Sequence, residues 1–281
     1  MNSFLFYNLR NGTSSDHISH LFPDWDGEKE RLAVFGAHDD DPLLGAGYAM
    51  AAAMDASAEV YAVIFCNGDC GYSTAEEKDT IVETRRIENE KALTRFGLKK
   101  ENIIRFEYPD YSLIQFIGKD LSSGESGIFL KVFDFIRENN ITRVMVPNGY
   151  REHSDHTAAY ITSAFDIVQA GDPTLADRGK PQKVQSYHQY SVWADFSPED
   201  ALLGDNNIKI RANRAILCSD AVEQKVRNAI REYASQGAII SDLVKSREER
   251  KARDGYIELY IEFDPRPKLN FASYIDLIDT L

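Results

Sequence analysis

The 281 residues contain no run of 18 consecutive apolar side chains, so the sequence offers no transmembrane helix. Basic residues are in deficit: 32 Lys and Arg stand against 45 Asp and Glu, giving a net charge of −13. A surface of that sign repels phosphate backbones and anionic headgroups, which excludes nucleic acid and membrane insertion as modes of action. The densest charged stretch, residues 245–253, is of mixed sign and reads as a solvated helix face. Cysteine is scarce and odd in number. Cys66 and Cys70 are four apart, which is not a zinc-ribbon spacing, and with Cys218 they read as free thiols in a reducing compartment. Residues 1–10 lack a basic stretch ahead of an apolar core, so no signal peptide and a cytoplasmic location are expected. Internal repeats and low-complexity linkers are absent. Gly45-Ala46-Gly47 lacks the third glycine of a dinucleotide fingerprint, and the acidic residues before it would repel a pyrophosphate.

What is present is alternation. Residues 32–35, 59–65, 102–106, 143–147, 185–192, 215–218 and 255–263 read as strands from their β-branched and apolar runs. Residues 43–55, 75–96, 127–139, 156–170, 221–232 and 239–253 read as helices. Strand and helix in succession imply βαβ units. The expected fold is α/β, a Rossmann-like three-layer sandwich with a mostly parallel sheet. It forms a single domain over 1–281, with a core at about 30–170 and a C-terminal elaboration, read as a smaller cap, at about 171–281. In such sheets ligands bind past the carboxyl ends of the strands.

Two charged clusters fall just past predicted strand ends: Ala37-His38-Asp39-Asp40-Asp41-Pro42 and His153-Ser154-Asp155-His156. Three adjacent carboxylates are costly unless a positive group sits among them, and a divalent metal is the obvious candidate. Imidazole and carboxylate suit a borderline ion such as zinc, and catalytic sites use three protein ligands with one position open for water. His38, Asp41 and His156 can supply those ligands. Asp40 can take the proton of the water, and His153 can stabilise an oxyanion with Asp155 orienting it. Blander readings exist. An Asp run at a strand end also caps helices, and Asp155 can do the same at 153–156. Arg85 and Glu88 fit an i,i+3 helix pair, and Asp110 fits a turn after Pro109.

The first cluster resembles the Ala/Pro-His-Pro-Asp-Asp-Glu signature of the LmbE-like, or PIG-L, deacetylases, and the second is similar to their His-Pro-Asp-His signature. Arg85-Arg86-Ile87-Glu88, followed by Phe96-Gly97, resembles their Arg-x-x-Glu helix, and Tyr108-Pro109-Asp110 their Pro-Asp segment. The resemblance runs in order over about 32–170. It implies that His38, Asp41 and His156 bind zinc or another divalent metal. It implies Asp40 as general base and His153 as the acid or oxyanion-stabilising group, oriented by Asp155. Arg85, Glu88 and Asp110 would contact substrate. The implied activity is removal of an N-acetyl group from an N-acetylglucosamine-type sugar or glycoconjugate. A carbohydrate esterase, another amidase, and a noncatalytic metal- or sugar-binding module are the alternatives. The substrate is expected to be a small amino sugar or glycoconjugate, and homo-oligomerisation stays open. Two positions depart from the signature: Asp39 replaces its proline, and Pro42 its glutamate. Pro42 is expected to push Asp41 towards extended backbone.

Overall fold

The computed structural model describes residues 3–203 and 209–281. The strands among them are Phe4–Asn8 (β1), Thr13–Ser15 (β2), Arg31–Gly36 (β3), Glu59–Cys66 (β4), Ile103–Tyr108 (β5), Arg143–Pro147 (β6), Ser186–Tyr190 (β7), Arg214–Cys218 (β8), Lys251–Ala252 (β9) and Gly255–Phe263 (β10). The α-helices are Asp41–Asp55 (α1), Ile81–Phe96 (α2), Ile128–Glu138 (α3), Ser154–Ile161 (α4), Asp220–Ile230 (α5), Gly237–Ser246 (α6) and Phe271–Ile278 (α7). All ten strands join one sheet in the order β2-β1-β8-β10-β7-β6-β3-β4-β5, with β9 paired to β10.

β3 and β4 show why the parallel half forms. Leu32, Val34, Val60 and Ala62 point to one apolar core, while Ala33, Phe35, Tyr61, Val63 and Phe65 point to the other. A strand buried on both faces reads as an unbroken apolar run, and such strands belong inside a parallel sheet. α1, α2 and α5 cover the first face through Ala49, Phe96 and Val226, and α3 and α4 cover the second through Phe133 and Ala158. The three-layer α/β arrangement is as expected.

The expectation of a mostly parallel sheet needs correction. β5, β4, β3, β6 and β7 run parallel, but β10, β8 and β1 continue the sheet antiparallel. β1 and β2 precede the predicted core, and Tyr7 in β1 pairs with Ala215 in β8, so the chain's start and its C-terminal part build one half-sheet. The C-terminal segment is therefore part of the main layer and not a cap. Buried charges bind it there: Arg247 donates to Glu223 and to the Leu44 carbonyl of α1, and Glu258 accepts the Tyr48 backbone N–H at 2.8 Å. Three predicted helices are also shorter than their periodicity suggested. The 75–96 stretch breaks before Ile81, the 156–170 stretch passes into π and 3-10 turns after Ile161, and the 239–253 stretch ends in a 3-10 turn and β9.

Strand order places the site. The chain runs β3, β4, β5 outward, then crosses back to lay β6 on the other side of β3, with Val34 opposite Met145. This reversal is the topological switch point, where helices diverge and leave a crevice past the strand ends. Both charged clusters follow the two strands that flank it. None of the described helices is long and apolar enough to cross a membrane.

Candidate metal centre

The first cluster is a tight strand-to-helix turn. A Cβ at Gly36 would lie 2.9 Å from Pro42 Cδ and 3.0 Å from the His38 carbonyl, so only glycine lets the chain fold back this closely. Asp41 is the first helical residue of α1, with Pro42 in the first turn, where a missing N–H costs nothing. The expected extended backbone at Asp41 is thus corrected. The backbone N–H of His38 donates to Asp41 Oδ2 at 2.8 Å, which turns that carboxylate towards the imidazole.

Three ligand atoms converge across the crevice. His38 Nδ1 lies 3.3 Å from His156 Nε2, His156 Nε2 lies 3.3 Å from Asp41 Oδ2, and His38 Nδ1 lies 3.8 Å from Asp41 Oδ2. Ligands at about 2.0–2.1 Å from a tetrahedral zinc stand roughly 3.3 Å apart, so the triangle is close to the size that ion requires. The far ring nitrogens face carboxylates. Glu152 Oε2 is 2.6 Å from His156 Nδ1, and Asp155 Oδ2 is 3.5 Å from His38 Nε2. With protons on those far nitrogens, the near ones turn lone pairs towards Asp41 and towards each other. A cation satisfies that arrangement, and carboxylates behind metal-binding histidines are its usual support.

Other groupings near His38 also bring ligand atoms within 4.8 Å of one another: His153 with Asp155, and Cys66 with Asp110. Their lone pairs are already in use. Asp155 accepts the Tyr111 and Leu113 N–H groups at 2.6 and 3.2 Å, and its own N–H donates to His153 Nδ1 at 3.1 Å. Asp110 accepts the N–H groups of Gly68 and Cys70. Burial, reinforced by Asp155 and Asp110, pushes the Cys66 thiol far up, away from the thiolate form. Two hollows of about 810 and 800 Å³ are lined by none of these site residues.

Charge follows geometry. Burial acts against ionisation of Asp41, but His156 and His38 outweigh it and hold the carboxyl down at about 2. Burial also disfavours the His156 imidazolium, yet Asp41 and Glu152 raise it to about 10. In the metal-free protein a proton therefore supplies the positive charge the carboxylates demand. His153 moves the other way, lowered by burial and by His38. Because its Nδ1 accepts a hydrogen bond, a neutral His153 carries its proton on Nε2. Solvent reaches some members of the site and not others: side-chain exposure is 21% for His38, 13% for Asp40 and 26% for His153, against 2% or less for Asp41, Asp155 and His156.

Residues 33–165 match the family model described as PIG-L, GlcNAc-PI de-N-acetylase, and the match spans both clusters. Residues 33–165 belong to the PIG-L family. Members of this family are hydrolases of an N-acetyl amide bond. Among solved structures, an N,N'-diacetylchitobiose deacetylase from Pyrococcus horikoshii is 17% identical, with 85% of each chain covered and a TM-score of 0.61. A 4-carboxy-2-hydroxymuconate hydratase from Pseudomonas putida is 18% identical, covering 86% of this chain and 99% of its own, with a TM-score of 0.62. A teicoplanin deacetylase described as a zinc-inhibited form is 18% identical, covering 83% and 99%, with a TM-score of 0.52. No curated protein matches the sequence.

The three residues assigned to substrate by resemblance to PIG-L proteins are engaged within the fold. Arg85 is buried and paired to Asp39, Glu88 accepts the N–H and hydroxyl of Ser235, each at 2.7 Å, and Asp110 holds the 68–70 turn. Asp155 was expected to orient His153 by hydrogen bonding. Its backbone N–H makes that hydrogen bond, and the carboxylate spans the gap to His38 Nε2 and ties down the 111–113 loop. Glu152 was not singled out from the sequence. Its only sequence signal was its place four residues before His156.

Proposed function

We propose that the protein is a metal-dependent N-deacetylase of an N-acetylglucosamine-type sugar or glycoconjugate, with zinc as its metal. The observation that carries this reading is the His38–Asp41–His156 triangle, backed by a carboxylate on each histidine. Two imidazoles and one carboxylate form a donor set suited to zinc, and also acceptable to other borderline divalent ions. Bound there, such an ion supplies Lewis acidity to a water and to the acetamide carbonyl.

The chain's own groups do the rest. Asp40, the carboxylate of the turn that keeps solvent access, accepts the water's proton and later returns it to the departing amine. His153 donates through Nε2–H to the carbonyl oxygen as negative charge grows on it, and its neutral state suits that task. Asp155 and Glu152 keep the two metal-facing nitrogens unprotonated. Acetate and a free amine are the products. A sugar ring could stack on Tyr111, which is 68% exposed with its ring centroid 4.5 Å from that of His153; Trp193, 54% exposed, belongs to the loop that holds Glu152.

The same fold in a hydratase favours one competing reading, addition of water to a carbon–carbon double bond. Acetate release decides between them. The metal-loaded protein is assayed on N-acetylglucosamine glycosides, O-acetyl sugars and unsaturated acids. Release from the N-acetyl substrates is expected; activity confined to esters or to unsaturated acids overturns the reading.

A further inference from the structure

The residue with no part in this chemistry is Asp39, which stands where the resembled signature has proline. It is buried between two guanidinium groups. Arg85 Nε donates to Asp39 Oδ2 at 2.9 Å, and Arg105 Nη1 pairs with Asp39 Oδ1. Arg105 is itself tethered, to Glu107 at 3.1 Å and to the Asn67 carbonyl at 3.2 Å. The Asp39 carbonyl accepts Asn89 Nδ2 at 2.9 Å and the Tyr233 hydroxyl at 2.6 Å, so the peptide leading to Asp40 is pinned as firmly as the side chain. Glu88 completes the fixture by holding Ser235, two residues from Tyr233. Arg85, Glu88 and Asn89 share one face of α2, and all three serve this joint.

Arg85 reaches further. Its Nη2 lies 3.7 Å from Asp40 Oδ1. No other ion pair to Asp40, and no hydrogen bond to its carboxylate, occurs among the described residues. Arg85 also has little freedom to close on a ligand. Its guanidinium sits 5.6 Å from the Tyr233 ring centroid, and its stem packs on Gly68, where a Cβ would come within 3.0 Å of it. Gly68 has φ +81, a second reason for glycine there.

We propose that Asp39, Arg85 and Arg105 form a buried lock that positions the Asp40 carboxylate, making Arg85 a positioning residue and not a substrate clamp. The proposal rests on the deacetylase reading in one respect, the role of Asp40 as base. It explains why an acidic residue is tolerated beside two other carboxylates: Asp39 is paired with two guanidinium groups and joins none of the possible metal-ligand groupings among the described residues.

The test separates positioning from clamping. Arg85→Met leaves Asp39 paired to Arg105 and so keeps a folded protein. Its kcat for acetate release is expected to fall about 10–100-fold, the usual cost of losing an outer partner of a catalytic group, with KM and zinc content unchanged. Asp39→Asn should show the same split, and the double variant should lose little more than either single one. In an Asp40→Asn background, adding Arg85→Met should leave affinity for an N-acetylglucosamine glycoside unchanged. A raised KM with kcat retained, weakened glycoside binding in that background, or additive losses in the double variant overturns the proposal. If the wild-type protein releases no acetate, the deacetylase reading is what fails. The lock is then judged by urea unfolding, where absence of coupling between Asp39 and Arg85 overturns it.

Discussion

Replacing Glu152 by glutamine tests whether the outer carboxylates set the metal site. Glu152 Oε1 accepts four donors: the Ser191 hydroxyl at 2.8 Å and the N–H groups of Val192, Trp193 and Ala194 at 2.9, 2.9 and 3.0 Å. Those donors force the oxygen of a glutamine amide into the Oε1 position. Its NH2 group then faces His156 Nδ1, 2.6 Å from Oε2 in the native protein. A donor there drives the imidazole proton to Nε2, the nitrogen that would hold the ion. Loss of such a partner typically lowers metal affinity 10–100-fold, or about 1.4–2.7 kcal/mol. The fold itself should lose only about 1–2 kcal/mol, because the backbone donors keep their acceptor and His156 Nε2–H can turn to Asp41. Glu152→Ala is the contrast. It strips three N–H groups of their acceptor at roughly 1–3 kcal/mol each, so it should damage fold and site together. Zinc titration against a competing chelator at neutral pH reads the first quantity, and urea unfolding of metal-free protein the second. Glu152→Gln binding zinc within about twofold of wild type would refute the reasoning.

Three further outcomes are expected. Asp40→Asn should cut turnover by about 10²–10⁴-fold while zinc stays bound, checked by acetate release and elemental analysis. The metal-free protein should show a stability window set by the His156–Asp41 pair. His156 is raised to about 10, so its contribution is complete below its unfolded value of 6.5 and is lost as pH climbs through about 10. Asp41 is depressed to about 2, so its contribution is complete above its unfolded value of 3.8 and is lost as pH falls through about 2. Urea unfolding in chelator across that range should show a plateau between the two unfolded values, and added zinc should abolish the alkaline decline. Finally, Tyr190→Phe removes a buried hydroxyl that donates to the Phe35 carbonyl at 2.6 Å, at the end of the strand leading to the site. It should cost about 1–2 kcal/mol by thermal or urea unfolding.

The parallel half of the sheet was legible because β3, β4 and β6 are buried on both faces and so read as continuous apolar runs. In the antiparallel half, β8 and β10 were legible as strands, but their direction and the remaining strands were not. β2 and β9 are too short to show a period, and β1, Phe4–Asn8, is apolar from Phe4 to Tyr7 but is followed by no α-helix that would mark it as part of a βα unit. The break after Ile161 was hidden because apolar residues continue through the π and 3-10 turns, and the one after Ser246 because its run of mixed charge reads as a solvated helix face. The chemistry-bearing clusters were visible as unusual concentrations of His and Asp past strand ends, and the crossover to β6 explains why they meet. What local sequence could not reveal is that Glu152 lies behind His156 and that Asp39 is held between Arg85 and Arg105. Glu152 depends on the 191–194 loop for its position, and Asp39 on α2 and Tyr233, all far away in the chain.

The central claim is that His38, Asp41 and His156 hold one catalytic divalent ion. The most direct measurement is the metal content of the purified protein by elemental analysis, taken together with X-ray absorption at the metal edge. The account predicts one zinc or similar ion per chain, with two imidazole nitrogens among its ligands, and loss of the ion in His156→Ala. A protein that takes up no divalent ion, or that retains it fully in His156→Ala, would contradict the account.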